Sequence, residues 1–571
     1  MDFQEYCFDT TFPVLFKIDY HVFFKEQLNY FYLNLTRKTS EADIIDLSNK
    51  LILVLKILKK QVQLSKAEWL PYLSLFYKMI GQARDILCGK GEHEISYMLI
   101  YSFYEVYPVL SVYALHRFVK PTDNFDRPYG SWRDIKYLCD FVCKISSKGE
   151  NHEIIRTCIR LTNTQLKKDM ESWRFSTHAG SREYISNVAK WIPREGKKFG
   201  WLFDLLSVDW IKTNRPYIFS SLTRDDSIFK AISKSKRIYR KHIGYLNKIL
   251  DTTEIKQCSQ KWDEIIPHNV PCYTRMKQRS LLFSNNPGYK NCSENFIKHI
   301  VNLPSTPSMH FSNHYPISFF IKDALRLIAL KRTLPDIDNT TEIVVLNKQW
   351  AMFSKTINSR CENILPILNV SCTMQNFDSD MYYTAIGYSI LIAGKSKLGK
   401  RILCVDHEPT WINFDTNDTL FSIIESIESA LRSKTNTLYN IDSTLDLLLH
   451  SLIGSKTKKR DIGNMAIVYI SDFHKITSID TFTSPFIKHK CPLPNFIFWN
   501  LSKYDVVEPF YELNENVIIM SGVSNGIINA LFQSIHNIKT GKKSSYENMC
   551  FLLNNSRYDV LEKYLYRIVD L

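Results

Sequence analysis

Five short apolar segments in the second half of the chain constrain its fold more than any other feature. They read ILPILNV, RILCVD, MAIVYIS, NFIFWNL and NVIIMSG, and helical patterns such as YYTAIGYSILIAG and STLDLLLHSLI lie between them. Strands that are apolar on both faces need cover on both sides, and helices that alternate with them supply it. Residues 361–571 are therefore predicted to form a doubly wound parallel α/β domain.

The first three hundred residues have a different pattern. Apolar residues recur at helical spacing in EWLPYLSLFYKMI, EISYMLIYSFYEVY and GSWRDIKYLCDFV, and short polar turns separate these runs. Many two-sided helices predict an α-solenoid of helix pairs in residues 1–301. The Pro-, Ser- and Asn-rich stretch NLPSTPSMHFSNHYP then opens residues 302–360, which we interpret as a linker with one connecting helix.

Charge and cysteine content narrow the class of protein. The net charge of +15 favours an anionic partner, although a charge of this size could also serve solubility alone. Nucleic acid is the first candidate for that partner and an acidic membrane surface the second. The 13 cysteines are scattered without a C-x-x-C pair, which predicts that the protein is located in a reducing cytosol. The start MDFQEYCFD lacks a signal-peptide pattern, and the apolar run KLILVLKIL is too short for a bilayer. We expect a soluble cytoplasmic protein without a membrane partner.

Motifs for catalysis are weak. The stretch GKSKLGK at 394–400 matches most of a P-loop, but Arg401 stands where a hydroxyl is required. A helix also precedes this stretch and a strand follows it, the reverse of a P-loop. We therefore expect no nucleotide cofactor. Asp406, His407 and Glu408 follow a strand but are interpreted as a loop, so no enzyme is predicted.

Small polar side chains follow two of the predicted strands. Asn369, Ser371 and Thr373 alternate after the first strand, and Asp472 follows MAIVYIS. With the strand order 3-2-1-4-5-6 these two strands would be neighbours at the switch point, where ligands bind. Their oxygens would suit Mg²⁺. The alternative is that the hydroxyls cap a helix and hydrogen-bond within loops.

This pattern resembles the von Willebrand factor A domain. Its metal-dependent adhesion site (MIDAS) uses Asp-x-Ser-x-Ser, a later Thr, and an Asp after the fourth strand. Here the first motif is Asn369-Val370-Ser371-Cys372-Thr373, so the leading carboxylate is lost. The later Thr has no clear counterpart, whereas Asp472 is retained. The resemblance implies a degenerate MIDAS that holds Mg²⁺ weakly or not at all.

The helical half carries a second resemblance. The segments ARDILCGKGEHEISYMLIY, PYGSWRDIKYLCDF, AKWIPREGKKFGWLF and YRKHIGYLNKILDTTEIKQCSQKWDEI resemble an uncharacterised family of plants, fungi and large DNA viruses. That family is distantly similar to the Ro autoantigen, a ring of HEAT-like repeats (the TROVE module) closed by a von Willebrand A domain. The resemblance implies that a basic helical-repeat ring closed by the A domain binds single-stranded or structured small RNA without catalysis. The Asn-, Ile-, Lys- and Tyr-rich composition favours a viral source, hence host cytoplasm or virion.

Two basic segments are candidates for the RNA contact. The first, on one predicted helix, contains Lys230, Lys234, Lys236, Arg237, Arg240, Lys241 and Lys248, which could neutralise consecutive phosphates. The second contains Arg194, Lys197 and Lys198 beside Phe199 and Trp201, which suits single-stranded RNA. The alternatives are an ordinary solvated helix face and two aromatic core anchors.

Three further basic residues, Arg84, Lys90 and Arg133, lie in the segments that carry the resemblance. Arg84 could instead pair with an acid such as Asp85 or Glu92.

A different class of function stays open. The chain could be an interaction scaffold, such as a virion component, that docks protein partners through the degenerate site. Positive charge along a groove would favour RNA, whereas dispersed charge with an exposed apolar patch would favour the scaffold. A hydrolase on the α/β domain is the least favoured interpretation.

Overall fold

The computed structural model describes most of the chain. The described residues are 19–38, 40–121, 127–179, 185–218, 225–278, 287–302, 316–334, 340–357, 363–369, 379–405, 408–415, 417–432, 441–471, 480–502, 517–539 and 544–569.

The described residues up to 302 form helices joined by turns and loops, as predicted. Its helices are α1 (Tyr20–Asn34), α2 (Glu41–Leu64), α3 (Lys66–Arg84), α4 (Glu94–Val106), α5 (Pro108–Val119), α6 (Arg133–Ile145), α7 (Glu153–Ala179), α8 (Val188–Trp191), α9 (Gly200–Asn214), α10 (Asp225–Leu250), α11 (Thr253–Cys258), α12 (Cys272–Lys277) and α13 (Lys290–Val301). Neighbours along the chain pack together, with α2 on α3 and α4, α4 on α5 and α6, α7 on α6 and α9, and α9 on α10.

A six-stranded sheet with helices follows. The strands are β1 (Ile364–Asn369), β2 (Arg401–Val405), β3 (Thr410–Asn413), β4 (Ala466–Ser471), β5 (Asn495–Asn500) and β6 (Val517–Ser521). The helices are α14 (Ile317–Thr333), α15 (Thr340–Thr356), α16 (Ser379–Lys395), α17 (Leu420–Arg432), α18 (Ile441–Gly454), α19 (Lys459–Gly463), α20 (Asp480–Lys488), α21 (Asn525–Lys539), α22 (Ser545–Leu553) and α23 (Asp559–Val569). The prediction of a helical region followed by an α/β region is confirmed.

The strand order is β3-β2-β1-β4-β5-β6. All neighbouring strands are parallel except β3, which pairs antiparallel with β2 at the edge. The sheet is therefore mixed, and the prediction of a purely parallel sheet was wrong at this edge. Because β1 and β4 are hydrogen-bonded neighbours, their carboxyl ends lie side by side, as the sequence analysis assumed.

Residues of the sheet alternate between two cores. Leu365, Ile367, Tyr469 and Phe498 belong to a core that continues into the helical region and includes α18 and α20. The alternate residues along the same strands belong to a second core, which includes α14, α15, α16, α17 and α21. Burial on both faces explains why these strands are continuous apolar runs. The segment interpreted as a linker thus contains two helices that cover the sheet; the proposed domain boundaries stay predictions.

A buried ion pair links two of the segments that carry the resemblance. Arg84 at the end of α3 donates from Nη2 to both carboxylate oxygens of Asp134 on α6, at 3.0 and 2.8 Å. Asp134 also accepts from the Tyr97 hydroxyl at 2.7 Å and the Ser131 amide at 2.7 Å. Arg84 thus pairs with an acid fifty residues away rather than with Asp85 or Glu92. Burial raises the pKa of Asp134, but the Arg84 guanidinium and the His93 hydrogen bond outweigh it and hold this pKa well below its usual range.

The loop after α3 packs against the carboxyl end of β6. Lys90 in this loop is buried, and its Nζ donates to the Tyr32 carbonyl and to Ser521 Oγ, the latter at 2.9 Å. The Ser524 hydroxyl donates to the Gly89 carbonyl. A Cβ at Gly526 would lie 2.5 Å from that carbonyl oxygen, so the first turn of α21 touches the loop backbone. This contact joins the helical region to the sheet.

The helices that follow the sheet return to the beginning of the chain. Helix α22 packs on α1 and α3, and α23 packs on α3 and α5. Asp85 accepts from Arg557 Nε at 2.6 Å and Nη2 at 2.9 Å, and the Tyr129 hydroxyl donates to the Arg557 carbonyl at 2.6 Å. Tyr558 and Leu561 are fully buried there. Residues 545–569 therefore share the core of the first helices.

Within the described ranges, none of the helices is both long and apolar enough to cross a membrane.

Candidate nucleic-acid interface

Helix α10 is amphipathic. Ala231, Ser235, Tyr239 and Leu246 form its buried face, at the spacing expected of a helix that packs on one side. The Tyr239 hydroxyl donates to Asn163 Oδ1 at 2.8 Å, and its ring lies 5.7 Å from that of Phe203. Ile232 and Ile243 flank this face and are half-buried. The helix is thus held in one rotation about its axis.

The opposite face of α10 carries five exposed cations, which we call the basic stripe. The basic stripe consists of Lys230, Lys234, Arg237, Lys241 and Lys248. At 1.5 Å per residue it extends over about 27 Å. None of these side chains forms an ion pair with any residue in the described part of the chain. Among the described residues, the stripe is consequently a row of cations without acidic partners on an anchored helix.

Two predicted RNA-binding residues beside the stripe have acidic partners. Lys236 Nζ lies 2.7 Å from Asp204 Oδ1 and 3.7 Å from Glu195 Oε1. Arg240 Nη1 lies 2.9 Å from Glu195 Oε2. These pairs join α10 to α9 through Asp204 and to the loop before α9 through Glu195. The charges of Lys236 and Arg240 are therefore partly neutralised, unlike those of the stripe residues.

The second predicted segment is that same loop. Arg194, Lys197 and Lys198 are exposed, and the turn is closed by Gly200 N donating to the Lys197 carbonyl at 2.7 Å. Gly196 has a φ of +71°, a left-handed conformation that favours glycine. Phe199 and Trp201 are both half-buried, which is intermediate between a core anchor and a ring exposed for stacking on RNA. The loop therefore presents its cations beside a partly accessible aromatic ring.

A second cationic surface was only partly expected from the sequence. Arg133 and Lys136 on α6 lie over the Trp191 ring, at 5.9 and 5.0 Å from its centroid, and over the Tyr137 ring, at 5.2 and 5.7 Å. The Phe199 ring packs edge-on against Tyr137 at 5.1 Å. We call Arg133, Lys136, Tyr137, Trp191, Arg194 and Phe199 the Trp191 cluster. Its members come from two stretches of the chain, helix α6 and residues 191–199. Arg133, Arg194 and Phe199 were singled out from the sequence, whereas Lys136, Tyr137 and Trp191 were not.

The cations of the Trp191 cluster repel one another. Burial lowers the pKa of Lys136, and the neighbouring Arg133 and Arg194 charges lower it further, against an opposing effect of Tyr137. Arg133, Lys136 and Arg194 have no acidic partner among the residues that the structure describes. Like charges held this close favour an anionic ligand.

The candidate metal site is only partly visible. Asn369 is buried at the end of β1, and its Nδ2 donates to Ser471 Oγ at the end of β4, at 2.8 Å. Ser371, Thr373 and Asp472 lie outside the described residues, as do Asp406 and His407. Glu408 is exposed. Asn369 thus links the two strands at the predicted position.

The helix-to-strand order around GKSKLGK is as predicted, since α16 ends at Lys395 and β2 begins at Arg401.

The chain is similar in part to a domain family and over most of its length to a viral protein. The model of a domain of unknown function, DUF7788, matches residues 363–551. The chain is also 20% identical over 492 residues to the uncharacterized protein L728 of Acanthamoeba polyphaga mimivirus, which covers 82% of this chain and 78% of the relative. The likeness to a protein of a large DNA virus agrees with the prediction that similar proteins occur in such viruses.

Proposed function

We propose that this protein binds single-stranded RNA without catalysis, on the exposed cationic surface of its helical region. The observation that carries the proposal is the basic stripe, five cations on one anchored helix without acidic partners among the described residues. Such a row can neutralise successive phosphates and release counterions. The loop of Arg194, Lys197 and Lys198 extends the same charge toward aromatic rings.

The finer architecture is part of the proposal. Packing of α2 to α7, α9 and α10 on their chain neighbours supports a HEAT-like, TROVE-like solenoid or ring. The strand order supports a von Willebrand A-like domain after it. The viral relative supports a location in host cytoplasm or virion.

The first test is RNA affinity across a salt series. Wild-type protein should bind single-stranded RNA more tightly than duplex DNA of equal length, with a log–log salt slope of about −0.7 for each neutralised phosphate. Arg237→Gln with Lys241→Gln should make the slope shallower by about 1.4, because two phosphate contacts are lost.

The matched control removes two charges elsewhere. Lys261→Gln with Lys298→Gln changes the net charge equally, but both lysines lie outside α10 and already pair with acids. This variant should keep the wild-type slope. Equal effects of the two double variants, or equal affinity for RNA and duplex DNA, would contradict the proposal and mean that the charge acts only in bulk.

The scaffold is the alternative. In the scaffold interpretation, protein partners dock at the carboxyl end of β1 near Asn369, and Asn369, Ser371, Thr373 and Asp472 hold Mg²⁺ weakly. Three of the most exposed apolar side chains, Leu64, Val109 and Ile487, lie on three different helices, α2, α5 and α20. The stripe is therefore the stronger observation, and it favours RNA.

A further inference from the structure

The Trp191 cluster has an excess of positive charge that nearby acids do not compensate. Asp140 pairs with Lys144 at 3.4 Å and lies 3.8 Å from Lys198. Glu195 pairs with Lys236 and Arg240, and Glu254 pairs with Lys190 at 3.0 Å. The acids around the cluster are thus bound to cations outside it, and Arg133, Lys136 and Arg194 are left to repel one another.

The aromatic part of the cluster is half-buried rather than enclosed. Trp191, Tyr137 and Phe199 all keep part of their surface in solvent. Cations lie within 6 Å of each of these rings, which is the distance of a cation–π contact. Guanidinium and ammonium groups beside an accessible indole can receive two parts of one ligand, an anion and a flat ring.

We propose that the Trp191 cluster binds one unpaired nucleotide of the RNA chain. Its phosphate is held by Arg133, Lys136 and Arg194, and its base stacks on Trp191. A base inside a duplex is already stacked on both faces, so the site selects single strands. The inference rests on the proposed function and names a subsite of it.

The cluster and the basic stripe are joined by one loop. Glu195, next to Arg194, contacts Lys236 and Arg240 on the flank of α10. The cluster therefore lies beside α10, and in this proposal a strand whose nucleotide occupies the cluster continues toward the basic stripe.

The experiment is calorimetric titration of the whole protein with uridine monophosphate, uridine and inorganic phosphate. The wild type should bind the monophosphate more tightly than either part, because both subsites contribute. Arg133→Gln with Lys136→Gln should weaken monophosphate binding by at least about tenfold, since two charge-assisted contacts are lost. Trp191→Leu should weaken it about fivefold or more, and Trp191→Phe should restore it.

Controls keep the result interpretable. Lys298→Gln, at an exposed position of α13, should leave the titration unchanged. Arg194 lies in an exposed turn, so Arg194→Gln carries the same test if the α6 variant does not fold. Equal binding of phosphate and monophosphate would overturn the nucleotide site and leave only an anion site. Failure of the wild type to bind the monophosphate, with salt-dependent RNA affinity intact, would overturn this inference alone; loss of both would overturn the proposed function as well.

Discussion

Lys90 is a lysine with almost no access to water, and its surroundings disfavour its charge. Burial lowers its pKa to about 7, with Glu92 opposing the shift and Lys38 adding to it. Glu92 is itself buried, and burial raises its pKa against the effects of Arg37 and Lys90. A neutral amine can still donate to Tyr32 and Ser521, so losing the proton does not break these contacts.

The free energy of unfolding should therefore rise with pH above 7. Between pH 7 and the unfolded lysine pKa of about 10.4, the unfolded chain holds a proton that folded Lys90 has released. Relative to Lys90→Met, wild-type stability should increase by up to about 1.4 kcal/mol per pH unit from pH 7 to 9. Urea unfolding at pH 7, 8 and 9 measures this difference. Lys298→Met should keep the wild-type slope, and parallel profiles of wild type and Lys90→Met would contradict the prediction.

At the scale of elements, two helix glycines differ in what surrounds them. Gly244 on α10 has no atom within 4 Å of an added Cβ, whereas Gly526 at the start of α21 faces the Gly89 backbone. Gly244→Ala should stabilise the fold by up to about 1 kcal/mol through helix propensity. Gly526→Ala should destabilise it by about 1–3 kcal/mol, because the loop backbone has to move. Thermal unfolding of both variants is the measurement; equal shifts would show that α21 does not press on the loop.

How much of these elements was predictable depends on how local their signals are. β1, β2, β4, β5 and β6 are apolar on both faces and were identified from sequence. β3 was missed because only Ile412 is buried among its four residues, so the segment reads as a polar loop. The basic stripe was visible because all its members lie on one helix. The Trp191 cluster depends on how α6 and α8 pack, and no periodicity within either helix reveals that.

At the scale of the whole molecule, α22 and α23 complete the core of the first helices. Tyr558, Leu561 and Leu565 are each buried there. Large apolar side chains contribute about 1.5–3 kcal/mol each when buried. A fragment of residues 1–301 fused through a flexible linker to residues 544–571 should therefore be more stable than the fragment alone, by several kcal/mol.

The midpoints of urea unfolding test this expectation. The fusion carrying Arg557→Met is the control, because it removes the guanidinium from buried Asp85 and should lose about 3–5 kcal/mol of the gain. Identical midpoints for the fragment and the fusion would mean that the first helices do not depend on α22 and α23.

The hydrogen bond between Asp85 and Arg557 can form only late in synthesis, since 472 residues separate its partners. At about 5–20 residues per second, a ribosome needs roughly 25 to 95 seconds to make the intervening chain. During that interval the apolar surface of α3 and α5 lacks its cover, and the nascent protein is a natural client for chaperones that shield such surfaces. The yield of correctly folded protein should thus depend on elongation rate and on chaperone supply in the cell that makes it.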